Sequence, residues 1–282
     1  MSSTNSVFAI PEPIRKFFSI FPLYTYPAPE NSYSKQITKP TLWIQPPRKL
    51  ELDGQDYFSR DVECLKWQAY LSLRGITDFD VRWDVAEEAG VGGHLPTLQL
   101  PNGKLLSTMR IPMWADTVQN SPIDTLEGYK DAEARDESRA WVSLLEGAVH
   151  SELEIANPKE QTLTSVLSDG PRRALESVVH PPPAPLSGIS TPFPPSGVQI
   201  PSYPVHLRYR KAIQSLSDRL GTDEWLLGSS APTALDALLF AYLYTALQSP
   251  PAVKREVERH PNLVNWESRV RSLVTPSKQA EI

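Results

Sequence analysis

Thr233-Ala-Leu-Asp-Ala-Leu-Leu-Phe-Ala-Tyr-Leu-Tyr-Thr-Ala246 decides how the rest of the chain is read. Thr233 and Asp236 form a capping box: the Thr233 hydroxyl accepts from the Asp236 N–H, and the Asp236 carboxylate reaches back to the Thr233 N–H. Beyond the cap the stretch is apolar on all sides, so the helix it forms must be buried all round. Its longest apolar run, Ala237 to Ala246, falls well short of the ~20 residues of a membrane-spanning helix. It is therefore predicted as the centre of a folded core. Trp225-Leu-Leu-Gly228 precedes it as a Gly-containing turn, and His260-Pro-Asn-Leu263 follows, ahead of Trp266, Arg269 and Val270.

Working outward, the second half is helical throughout. Trp141, Leu144, Leu145, Ala148, Val149 and Leu153 recur at three- and four-residue steps, and the mixed-charge run Asp131 to Arg139 reads as the solvated start of that helix. Val166, Leu167, Leu175 and Val178 predict a weaker helix interrupted near Gly170-Pro171. Residues 181–204 are dominated by Pro, Ser and Gly and are read as an exposed loop between helices. Helices follow from about Val205 to Leu220, from about Thr233, and through Val253 to Val274.

The first half has a different period. Thr41 to Ile44 is a short β-like run ended by Pro46-Pro47, and the stretch to Arg60 reads as loop. Asp61 caps a helix whose apolar face holds Leu65, Ala69 and Leu73, with Trp67 and Leu71 alongside, and Gly75 stands where a left-handed cap ends it. Phe79, Val81, Trp83 and Val85 alternate with Asp80, Arg82 and Asp84, the pattern of a half-exposed strand. Leu95 to Leu98 and Lys104 to Leu106 flank Asn102-Gly103, a hairpin turn in which both residues tolerate positive φ. The order is strand, helix, strand, hairpin: a thioredoxin-like α/β domain at 41–118, followed by an all-helical domain at 119–275 and a tail at 276–282. Residues 1–40 form an N-terminal arm. In it Ile14, Phe17, Phe18 and Phe21 fall at helical spacing beside Arg15 and Lys16; they either pack on the arm's own domain or serve as a docking, partner-binding element.

Composition narrows the function classes. The 282 residues carry a net charge of −5, with no dense Lys/Arg cluster, which argues against a nucleic-acid partner and against a large electrostatic footprint on a membrane. The single cysteine, Cys64, excludes an internal disulfide and a thiolate zinc cage. Five histidines are scattered without an i, i+4 pair, so no metal or other cofactor is expected. Gly90-Val-Gly-Gly93 lacks both the Lys-Ser/Thr of a phosphate loop and the dinucleotide pattern, and reads as a flexible loop. Pro11, Glu12 and Pro13 ahead of Arg15 and Lys16 do not match a secretory or matrix leader.

The turn, the capped buried helix and the Pro-Asn-Leu…Trp segment together resemble the C-terminal domain of the glutathione-transferase superfamily, and with the thioredoxin-like first half the resemblance runs from about Thr41 to Val274. Within it, Cys64-Leu-Lys-Trp-Gln-Ala-Tyr-Leu71 resembles the first helix of metaxins. Phe8 to Ile14, and Phe21-Pro-Leu-Tyr-Thr-Tyr-Pro-Ala-Pro-Glu-Asn31, are similar to the opening of fungal metaxin-like receptor subunits of the mitochondrial sorting and assembly machinery (the SAM complex). This resemblance implies a non-catalytic peripheral protein on the cytosolic face of the mitochondrial outer membrane. Its implied partners are the assembly barrel of that complex, a second and larger metaxin-like subunit, and β-barrel precursor proteins.

The rival reading is a thiol-dependent glutathione transferase using Cys64. The thiol lies at the third helical position, where free N–H groups and the helix dipole lower a thiol pKa, although Asp61 opposes this; burial in the core is the alternative role. Gln45-Pro-Pro47 supplies no other nucleophile. The resemblance further implies that Leu106 stands where glutathione-binding members carry Glu or Gln before the Ser, here Ser107. It also implies a cis peptide at Pro96; the residue-level role of Pro96 is to shape the start of the third strand.

Overall fold

The computed structural model describes residues 37–50, 54–119, 126–157 and 202–275. Ile14, Phe17, Phe18 and Phe21, the helix expected around Val166 to Val178, nearly all of the Pro-rich stretch and the tail after Thr275 lie outside the described residues.

A four-stranded sheet organises the first half: β1 (Thr41–Trp43), β4 (Asp80–Arg82), β5 (Thr97–Gln99) and β6 (Leu105–Leu106), in the order β4-β1-β5-β6. β1 runs parallel to β4 and antiparallel to β5, which pairs antiparallel with β6. A parallel pair needs a crossover. Here it is α1 (Val62–Leu73). The register aligns Val81, Leu42, Leu98 and Leu106 across all four strands, and the last three are buried.

Both ends of α1 follow from the sequence. Asp61 accepts from the Cys64 N–H at 2.9 Å. At the other end Gly75 takes φ +74° and donates to the Ser72 carbonyl, while the Ile76 N–H reaches the Leu71 carbonyl, so two orphan carbonyls are satisfied and Ile76 packs inward beside Leu71. The turn between β5 and β6 uses different chemistry from that expected. Only Gly103 is left-handed, at φ +81°, while Asn102 keeps a negative φ and accepts the Lys104 N–H through its side chain.

The stretch up to Arg60 is not a loop. β2 (Pro47–Leu50) and β3 (Gly54–Ser59) form an antiparallel hairpin inserted between β1 and α1. Pro47, at the first position of an outer strand, needs no ladder N–H and so does not prevent it.

The helical half is built around α6 (Ala234–Leu247), buried from Leu235 to Ala246. It touches α1; the long helix formed by α3 (Ala132–Leu144), a π turn (Leu145–Val149) and α4 (His150–Ala156); α7 (Pro251–Glu258); and α8 (Pro261–Val274). Neighbours on every side account for an apolar sequence on every side. α5 (Ser202–Leu220) packs against the π turn, α4 and α8. It begins three residues before the expected Val205, because Pro204 sits in the first turn, where a missing N–H costs no helical bond. The single final helix expected through Val253 to Val274 is two helices. Pro261 starts the second, and His260 before it leaves the helical region (φ −116°, ψ 85°). One hydrophobic core runs from Leu42 and Leu65 through Phe240 to Val270. Among the described residues no helix is long and apolar enough to cross a membrane.

Candidate functional site

Where α1 starts, the end of β1 and the inserted hairpin meet in a closed polar network. The Gln45 N–H points at the Cys64 sulfur (3.4 Å), and the Gln45 carbonyl accepts from the Ser59 hydroxyl (2.9 Å). The Ser59 N–H donates to Gln68 Oε1, whose amide nitrogen donates in turn to the Tyr57 carbonyl. The Asp61 N–H completes the set by donating to Ser59 Oγ. Cys64 and Gln68 are fully buried. Phe58 carries the hairpin onto the helical half, packing edge to face against Phe240 and Tyr244 at centroid distances of 5.8 and 5.1 Å. The Cys64 thiol itself is held among the Gln45 N–H, Ser59 and Asp61. Burial pushes the Cys64 thiol well above its ordinary value, and the Asp61 carboxylate adds to the rise against the opposing Gln45 N–H bond. A nucleophilic thiolate needs the reverse.

The sequence placed Cys64 correctly at the third position of a capped helix but gave no sign of what covers it. Ser59, Gln68 and Phe58 were missed. Asp53-Gly54, a hairpin-turn dipeptide between Leu50-Glu-Leu52 and Tyr57-Phe58, was the available signal.

Across the sheet, Leu95-Pro96 is cis and leads straight into β5, as the resemblance implied. Leu106 is buried as part of the core, so its side chain presents no acceptor to a ligand's ammonium. Ser107 follows it at the start of the short 3₁₀ turn Thr108–Arg110. The glycine loop beside Pro96 is tightly built: a Cβ on Gly90 would stand 1.9 Å from the His94 carbonyl oxygen, and the Val91 N–H is held by Thr97 Oγ1 at 2.9 Å. Among the described residues no group of three or more His, Cys, Asp or Glu side chains could hold a metal ion.

The second polar cluster centres on Asp236, whose side chain is fully buried. One carboxylate oxygen accepts from the Leu226 N–H, and the other from both the N–H and the hydroxyl of Thr233, each at 2.8 Å. The Trp225-Gly228 turn is thus tied to the start of α6, with Leu227 and Gly228 both left-handed (φ +64° and +68°). α8 closes the cluster. Trp266 Nε1 donates to the Glu224 carbonyl at 3.0 Å, Arg269 reaches the same carbonyl, and its guanidinium lies 4.6 Å from the Trp225 ring centroid. The turn, the capping box, Trp266 and Arg269 therefore serve one structural lock, while Asn262 of the third segment bonds Ser217 and Gly221 on and after α5. Cys64 and Asp236 belong to two separate clusters, at the N-termini of α1 and α6.

Residues 209–270 match the family model described as glutathione S-transferase, C-terminal domain. No curated protein matches the chain by sequence. Among solved structures, a glutathione S-transferase from Methylobacterium radiotolerans, crystallised with glutathione sulfonate, is similar over 83% of this chain and 91% of its own, at 14% identity and a TM-score of 0.50. The β-etherase LigF from a Sphingobium species is similar over 83% of this chain and 95% of its own, at 16% identity and a TM-score of 0.50. Strand order, helical half and C-terminal match agree on a glutathione-transferase-like fold, with a small thioredoxin-like sheet region followed by a helical domain.

Proposed function

We propose that this chain is a non-catalytic, metaxin-type adaptor: a peripheral subunit of the mitochondrial outer-membrane sorting and assembly machinery that helps bind and insert β-barrel precursors. The observation that carries this reading is the full burial of Cys64 at the start of α1. The thiol that the rival chemistry needs is held neutral and away from solvent, and Leu106 occupies the core. The metaxin assignment itself rests on the sequence resemblance of Cys64 to Leu71 and of the opening segment. Its partners would be the assembly barrel and a second, larger metaxin-like subunit. Gentle solubilisation of mitochondria followed by recovery of the tagged chain tests this: co-purification of an outer-membrane barrel is expected, and its reproducible absence would overturn the reading.

Glutathione-transferase catalysis is the second reading, favoured by Ser107 beside a thioredoxin-like sheet. Retention on glutathione resin with turnover of an electrophilic substrate would establish it.

A further inference from the structure

Arg210 on α5 and Arg259 at the end of α7 converge on one carboxylate. Glu256, buried on α7, accepts from Arg259 Nη1 at 2.5 Å and lies 3.4 Å from Arg210 Nε. Both arginine side chains stay open to solvent, Arg210 at 50% and Arg259 at 61% exposure. A third, Arg255, stands one helical turn before Arg259, whose N–H donates to its carbonyl; it is exposed and has no ion pair among the described residues. The other acid of α7, Glu258, is paired with Lys254 at 3.7 Å. Glu152, which faces α5 one turn earlier, is buried and bonded to His206. Three arginines therefore stand at one carboxylate, an excess of two positive charges on a chain of net charge −5.

The shared carboxylate fixes two long side chains in advance. Their guanidinium forks need less ordering when a ligand arrives, which lowers the cost of binding. Tyr203, Leu207, Arg210 and Gln214 follow one another along α5 at steps of four, three and four, so they share one face of the helix, and all are exposed. Tyr203 is 75% exposed and Leu207 39%. An exposed aromatic beside held arginines is the composition of a protein-binding hot spot.

We propose that this face of α5 and α7 binds an acidic, partly apolar segment of a partner protein. Carboxylates of the segment pair with the outward N–H groups of Arg210, Arg255 and Arg259, and an apolar side chain packs on Tyr203 and Leu207. Two net charges and two apolar side chains are too few to hold a bilayer. A small free anion at half-exposed arginines is largely screened by water and salt. A linear segment meets the same groups in series. The inference goes beyond the adaptor reading and does not depend on it.

The test is fluorescence anisotropy of the full chain with a short labelled peptide of glutamates around a central leucine and phenylalanine, beside its glutamine counterpart. The acidic peptide is expected to bind and to be released by salt, and the glutamine peptide to stay free. Arg255→Gln weakens binding about fivefold and Tyr203→Gln about tenfold, with unchanged circular-dichroism spectra, since neither side chain holds Glu256. Lys104→Gln on β6 and Met113→Gln on α2 (Ile111–Val118), both exposed, leave binding intact. No binding of the acidic peptide, equal binding of the two peptides, or unaltered affinity in either the Arg255 or the Tyr203 variant would overturn the proposal. So would flotation with phosphatidylglycerol vesicles that Arg255→Gln abolishes, which would assign the face to lipid. Self-association lost in Tyr203→Gln would overturn it too, in favour of a second copy. Co-purification with the barrel is read separately, so either idea can fail without the other.

Discussion

The N-termini of α1 and α6 are built on the same principle and have opposite fates. Each has a buried aspartate satisfying backbone N–H groups: Asp61 at Cys64, and Asp236 at Thr233 and Leu226. At α6 the cap gathers parts of the helical half into one lock, whose side chains were visible in the sequence while the Glu224 carbonyl that Trp266 and Arg269 share was not. At α1 the cap stands beside a thiol that is fully buried, next to the hairpin that immediately precedes the helix. A helix N-terminus with a cysteine at its third position has the local ingredients of a reactive site. Burial and the facing carboxylate reverse the outcome. Local motif therefore fixes the helix start, whereas accessibility is set by what packs on top.

The largest effect in this comparison is expected from Phe58→Ala. Removing the ring from its contacts with Phe240 and Tyr244 should cost about 3–4 kcal/mol by denaturant unfolding and expose Cys64 to a thiol reagent in the native state. Loss of stability without new reactivity would show that the hairpin is not the cover. Asp236→Ala should cost about 2–3 kcal/mol, since two buried N–H groups lose their acceptor, while Cys64 stays unreactive. An unchanged melting temperature would break the lock.

Asp236 also gives a pH signature. Burial raises its carboxyl from 3.8 to about 6, partly opposed by the N–H groups of Thr233 and Leu226. A carboxyl raised on folding binds its proton more tightly in the folded chain, so its contribution is complete below 3.8 and is lost as pH rises through about 6. Wild-type stability should fall by about 3 kcal/mol across that window relative to the non-titrating Asp236→Asn variant. Parallel pH profiles for the two proteins would contradict it. The smallest effect belongs to Cys64→Ala, about 1 kcal/mol, because a small apolar residue keeps the start of α1 packed and only weak sulfur contacts, with the Gln45 N–H, Ser59 and Asp61, are lost.

The parts of this fold that were legible in sequence are those specified by near neighbours. The Thr233/Asp236 box and the Asp61 and Gly75 caps are local and stand as expected; the alternation around Val81 is local too, but forms a strand only over Asp80–Arg82. What was missed depends on distant partners. β2 and β3 read as loop because Pro46-Pro47 looked like punctuation and because the reward for forming the hairpin, Phe58 against α6, lies nearly two hundred positions away. The break at His260 was signalled by Pro261 but was overridden by an apolar period that continues across it. The role of Cys64 was undecidable locally, since the same position suits a reactive thiolate or a core side chain until its cover is known.

The most direct measurement of the central claim is the rate at which Cys64 reacts with a thiol reagent in the folded wild-type chain, followed across a denaturant series. The account predicts no reaction under native conditions and labelling that appears only with global unfolding, unaffected by glutathione. Rapid stoichiometric labelling of the native chain, slowed by glutathione, would contradict it and return the site to transferase chemistry.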